Sequence, residues 1–191
     1  QLFATAIVAA GGYDQTSDAP LPLVLALTVT VWLCLLSAMT YTSRRFGRGR
    51  FDADYGLQVR RVDLLGVGIG VLCQLVVIPT LYLPLEAIWP STFSTPRMEE
   101  NARTLYDSAQ GGWLVVLVLI VVVGAPLVEE LLYRGLLQGA FVRQVDEIVS
   151  VVAVAAWFAI IHFRPVEYPG LFVFGLVLGT CSLVTRRLGM S

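Results

Sequence analysis

Hydrophobic positions along this chain fall in long unbroken runs, not in the alternation of a half-buried sheet. Five runs are long enough, or nearly so, to cross a bilayer as a helix, which takes about 20 apolar residues. They are LPLVLALTVTVWLCLLSAMTYT (21–42), DLLGVGIGVLCQLVVIPTLYLPL (63–85), a run opening with WLVVLVLIVVVGAPLV (113–128), IVSVVAVAAWFAIIHF (148–163) and GLFVFGLVLGTCSLVT (170–185). The third run continues through two glutamates, and the last two need flanking residues to reach spanning length. Val and Ile crowd 114–123, but a spanning barrel strand alternates apolar and polar side chains over about ten positions, and these runs do not. Backbone groups in hydrocarbon must be satisfied within their own segment, so helices are predicted, with a kink at Pro79.

The polar stretches between the runs orient them. SRRFGRGRFDADYGLQVRRV (43–62) holds six Arg against two Asp, which places it in the cytoplasm. The 86–112 stretch carries Glu86, Glu99, Glu100 and Asp107 against Arg97 and Arg103, which places it outside. Alternation then puts GGYDQTSDAP (11–20) outside and Arg186 and Arg187 inside. Within the outer stretch, Thr95 as cap and Pro96 at the first helical position predict a helix over 95–110. Its Met98, Ala102, Leu105 and Ala109 share a face, which suits either an interfacial helix or an ordinary packed one. Trp113 at its exit suits an interface anchor.

Composition agrees with this pattern: hydrophobic residues make up 57% and charged residues 14%, against about 25% charged in soluble proteins. The expected fold is a single all-α membrane domain over 1–191, a polytopic bundle with about five spanning helices, in contact with membrane lipids. A net charge of −1 gives no field for nucleic acid. Cys34, Cys73 and Cys181 lie singly in apolar runs and read as buried small hydrophobes. The glycines of GVGIG (66–70), and Gly175 with Gly179, read as sites of close helix packing. Gln1 in place of an initiator Met, with QLFATAIVAAGG too short to span alone, suggests that the chain begins as a fragment or processed product. The sequence leaves oligomeric state open.

Charges inside the apolar runs need a reason, since each costs at least ~2.5 kcal/mol in a membrane helix. Arg134 follows Glu130 by four residues, the favourable order for a helical ion pair. Glu129 points about 100° away from Glu130 and has no such partner. The sole histidine is His162. If the third helix ends near Arg143 and the fourth begins at Ile148, Glu129 lies 14 residues before the turn and His162 lies 14 after it. Both are then ~21 Å from the turn, at one level. A carboxylate beside an imidazole in a dry cavity can deprotonate water and stabilise an oxyanion. No Ser–His–Asp order, G-x-S-x-G or H-E-x-x-H is present, and one His with two Glu is thin for zinc; no metal or other cofactor is expected.

EELLYR (129–134) resembles the E-E-x-x-x-R motif of the CAAX protease and bacteriocin-processing (CPBP, or ABI) membrane family, and FAIIH (158–162) resembles its F-x-x-x-H motif. The resemblance extends over 113–189. It implies metal-free intramembrane peptide-bond hydrolysis in a bacterial plasma membrane, on a membrane-associated peptide or a prenylated-tail-like substrate. By resemblance Glu129 activates water and His162 supports the oxyanion. Glu130 and Arg134 orient the site, and Phe158 packs beside His162. The family's third motif, a His followed one turn later by Asn or Asp, is expected after TRRLG and does not occur here. The expectation is truncation after Ser191, which leaves the oxyanion site incomplete and the activity of this polypeptide open. Alternatives are a non-catalytic immunity or scaffolding protein of the same fold, or a proton-coupled transporter.

Overall fold

The computed structural model describes residues 20–191; the N-terminal stretch 1–19, with most of the outer segment expected there, lies outside them. Six longer helices, with a short helix at Phe51–Asp54 and a 3-10 turn at Leu188–Met190, make up the described helical structure, and no strand occurs among the described residues. The longer helices are α1 (Leu21–Phe46), α2 (Arg61–Ile88), α3 (Thr95–Ser108), α4 (Gly112–Phe141), α5 (Glu147–Ile160) and α6 (Tyr168–Thr185). Four of these, α1, α2, α4 and α6, are long and apolar enough to cross a membrane. The shorter α5 has 14 residues, ~21 Å at 1.5 Å per residue. The protein is a polytopic helical bundle with an integral membrane character.

Two prolines leave their mark on the spans. Proline lacks an N–H and its ring crowds the carbonyl four residues back. Ahead of Pro79, the helix widens to π geometry over Cys73–Val77; ahead of Pro126, it does so over Leu119–Gly124. The expected kinks are thus taken up as wide turns that keep the backbone hydrogen-bonded. A third π stretch, Leu131–Gln138, has no proline behind it and carries the charged motif.

The long α4 is the centre of the bundle. Near one end Leu117 meets Leu21 and Leu25 of α1, with Leu105 of α3 and Ala109 just past its end packed against them. At mid-span Gly124 admits the Trp32 ring of α1 so closely that a Cβ could not be added there. Farther along, Leu131 packs with Met39 and with Tyr55, whose hydroxyl donates to the Met39 carbonyl at 2.7 Å. Tyr133 packs with Val154 and Phe158 of α5. The outward faces are apolar and exposed, as at Leu33, Val67, Leu75, Leu83 and Val122, and suit lipid.

Some local expectations change. α3 starts at Thr95 with Ser94 in the cap position, so Pro96 is second in the helix. The half-buried Leu105 and Ala109 show that α3 packs on the ends of α1 and α4; the Met98 side chain lies outside the described ones. Cys34 is exposed on α1. Of the GVGIG glycines only Gly66 is in close contact, against the Met190 backbone, while Gly68 and Gly70 have nothing within 4 Å of a would-be Cβ.

Candidate active site

The site begins with a ladder of polar residues on α4. Glu130, Arg134 and Gln138 recur every four residues and so stack along one face. Arg134 Nη1 lies 2.9 Å from Glu130 Oε1, with the two side chains 1% and 15% exposed. Arg134 Nη2 reaches the Gly175 carbonyl at 3.4 Å, and Gln138 Nε2 donates to the Gly179 carbonyl at 2.8 Å. These carbonyls are accessible because glycine has no side chain. A Cβ on Gly175 would stand 3.1 Å from the Ala155 backbone of α5, and one on Gly179 would stand 3.0 Å from Gln138 Oε1. The two glycines therefore do hold α6 tight against its neighbours.

Aromatic rings cover the guanidinium. Arg134 Cζ sits 4.8 Å from the centre of the Phe158 ring and 5.9 Å from that of Tyr133. Phe158 meets Tyr133 edge-on at 5.1 Å and His162 edge-on at 4.9 Å. One residue thus bridges the ion pair and the imidazole.

His162 stands past the last regular turn of α5. That helix stops at Ile160, and the chain turns through Ile161 and His162 to Phe163, which takes a left-handed φ of 54°. Few aromatic residues adopt that conformation, and it closes α5 abruptly beside the imidazole. His162 Nδ1 is 2.6 Å from the Phe158 carbonyl. A carbonyl can only accept, so Nδ1 carries the hydrogen and Nε2 is the nitrogen left for other partners. The stretch after it is pinned by Tyr82 of α2, whose hydroxyl donates to the Val166 carbonyl at 2.5 Å and accepts from the Gly170 N–H at 3.3 Å.

Glu129 is half-buried and lies within electrostatic reach of His162, Arg134 and Glu130. Unlike Glu130, it forms no ion pair among the described residues. All five residues singled out from the sequence, Glu129, Glu130, Arg134, Phe158 and His162, therefore gather where α4 and the end of α5 meet. No group of three His, Cys, Asp or Glu side chains stands at metal-binding geometry among the described residues.

Three participants went unnoticed in the sequence. Gln138 could have been found, because it continues the Glu130–Arg134 spacing and runs in step with Gly175 and Gly179. Tyr133 and Tyr82 carry no such signal, since their roles depend on contacts between separate helices.

With this geometry in view, comparison with known proteins is informative. Residues 111–191 match the family described as type II CAAX prenyl endopeptidase Rce1-like. Over this segment the chain is similar to that family. The matched part holds α4, α5 and α6, and with them Glu129, Glu130, Tyr133, Arg134, Gln138, Phe158 and His162; Tyr82 of α2 lies outside it. The Rce1-like family is a protease family. No curated protein and no solved structure matches the chain.

Proposed function

We propose that the protein is an intramembrane endopeptidase in which Glu129 activates water and His162 stabilises the tetrahedral oxyanion. The observation that carries this reading is the placement of an uncommitted carboxylate, Glu129, within electrostatic reach of an imidazole fixed through Nδ1 and free at Nε2. In the proposed reaction Glu129 takes a proton from water, and the water oxygen bonds to the scissile carbonyl carbon. The oxyanion that forms accepts a hydrogen bond from His162 Nε2–H. Because Nδ1–H is already committed to the Phe158 carbonyl, that donor exists only in the imidazolium form. Glu129 then returns the proton to the leaving amide nitrogen and the C–N bond breaks, giving a carboxylic acid and an amine, which exchange a proton to become a carboxylate and an ammonium.

Glu130 and Arg134 act as positioning residues. Their pair holds the α4 backbone that presents Glu129, and Arg134 braces the Phe158 ring against which His162 packs. The substrate class is a membrane-associated peptide or prenylated-tail-like peptide. The arginine distribution supports a bacterial plasma-membrane protein with loop 43–62 cytoplasmic and loop 86–112 outside.

The test is cleavage of a fluorogenic peptide bearing a prenylated tail by the full chain in liposomes. Glu129→Gln removes the base while keeping shape, and the expected loss in kcat is about 100-fold or more with unchanged helicity and melting. Undiminished cleavage by that variant overturns the assignment. A folded wild-type chain that leaves such peptides intact favours instead a non-catalytic membrane role.

A further inference from the structure

A cavity not lined by Glu129 or His162 lies at the end of the bundle where the chain's arginines collect. It has a volume of about 320 Å³ and reaches from Arg143, Arg186 and Arg187 at its rim to Arg134 and Gln138. Arg186 is brought to the rim by its left-handed φ of 53°, which ends α6 there. Arg143 and Arg186 form no ion pair among the described residues, whereas Arg187 pairs with Asp63 at 2.9 Å and Arg134 with Glu130. Two acids also border the cavity, Asp54 and Glu147. Asp54 is occupied, accepting from Ser43 Oγ at 2.5 Å and from the Arg48 N–H at 3.0 Å. Glu147 is exposed in the first turn of α5.

The lining is built for a ligand rather than merely charged. Arg134 Nε, Arg187 Nη1 and Gln138 Oε1 are buried and have no hydrogen-bond partner. Arg134 and Gln138 are each only 3% exposed. Two of these atoms are donors on cations and the third is an acceptor, and each costs free energy while unsatisfied. The donors call for phosphate oxygens, and the acceptor calls for a hydroxyl. Basic pockets between helix ends on the arginine-rich side of a membrane protein suit anionic headgroups. We infer that this cavity binds a phosphate ester carrying a hydroxyl, of the kind presented by a phosphoglycerol headgroup. The cavity shares Arg134 with the catalytic proposal, but neither Glu129 nor His162 lines it, and the variants that test it leave all three residues in place.

The experiment follows thermal unfolding of the detergent-solubilised chain with added short-chain phosphatidylglycerol, phosphatidylcholine, phosphatidic acid or free glycerol phosphate. Phosphatidylglycerol is expected to raise the unfolding temperature by about 5–10 °C at a hundredfold excess over its dissociation constant. Phosphatidylcholine should not. The Arg143→Gln/Arg186→Gln double variant should raise the half-saturating concentration about tenfold or more. Gly139→Leu, where a Cβ meets nothing closer than the Arg134 carbonyl at 3.9 Å, should fill the cavity and abolish the shift. An equal shift with glycerol phosphate supports the chemistry and assigns a soluble source. Phosphatidic acid matching phosphatidylglycerol overturns the hydroxyl contact with Gln138. Equal shifts from phosphatidylglycerol and phosphatidylcholine, or a shift that survives both variants, overturn the site.

Discussion

Replacing Arg134 by alanine isolates what the buried ion pair contributes. At 2.9 Å separation the pair's attraction is about 6 kcal/mol for an effective dielectric constant near 20. Desolvating two charges costs several kcal/mol per ion, so the intact pair contributes little net stability. Removing one partner is different, because the desolvated Glu130 remains. The expected cost is about 3–5 kcal/mol, with up to ~2 kcal/mol more from losing the guanidinium over Phe158. For a chain of this size that corresponds to a fall in Tm of roughly 6–28 °C. Glu130→Gln should also destabilise, by leaving the guanidinium unpaired. The double variant Glu130→Gln/Arg134→Met removes both charges while keeping volume. It should recover much of the loss, giving a coupling energy of about 2 kcal/mol or more between the sites. Thermal and denaturant unfolding in one detergent would measure the cycle. Additive single effects, or an Arg134→Ala variant that melts like wild type, would refute this account of the pair.

Three further outcomes test the packing around the site. Tyr82→Phe removes the hydroxyl that serves Val166 and Gly170; a loss of about 1–3 kcal/mol and faster hydrogen exchange over 164–170 are expected. Gly175→Val should force α5 and α6 apart, costing about 1–3 kcal/mol, whereas Gly68→Ala, with open space around it, should be neutral or slightly stabilising in the same melts. Asp54 is held below the usual carboxylate range, chiefly by the Ser43 hydroxyl and then by the Arg48 backbone N–H. Its contribution is therefore present above its ordinary pKa of about 4 and is lost as pH falls through the lower folded value; Ser43→Ala should flatten that acid limb in a pH series of Tm.

The spans were legible because a bilayer demands long apolar runs, and no other architecture suits such runs without alternation. The level shared by Glu129 and His162 was legible for a similar reason: a tight turn fixes depth in a helical hairpin. α4 ends at Phe141 and α5 begins at Glu147, so the two residues differ by three positions from the turn, ~4.5 Å along the axis. That offset is small enough for them to remain within electrostatic reach. What stayed hidden depends on contacts between helices far apart in the chain. Asp63 and Arg187 are joined at 2.9 Å across 124 positions, and Tyr82 meets Gly170 across 88. Neither partner advertises the other. The GVGIG glycines misled for the same reason, since spacing shows that a backbone can come close but not that a neighbour is there.

The arrangement of α4 against α6 explains how a charged helix is tolerated and why one carboxylate is left over. A guanidinium and an amide four residues apart, Arg134 and Gln138, face two glycine carbonyls four residues apart, Gly175 and Gly179. Equal spacing on both helices lets one close approach satisfy both contacts, and only glycine permits that approach against Ala155 and Val151. Glu130 completes the ladder by neutralising Arg134. Each of these groups has a structural partner within the bundle. Glu129 is turned off the ladder by one residue's rotation of about 100° and lies within electrostatic reach of His162. A carboxylate that stabilised only the fold would be expected on the ladder, beside the cation. Its place off the ladder, within electrostatic reach of an imidazole whose Nδ1 is already fixed, is what motivates the proposal that Glu129 serves chemistry rather than stability.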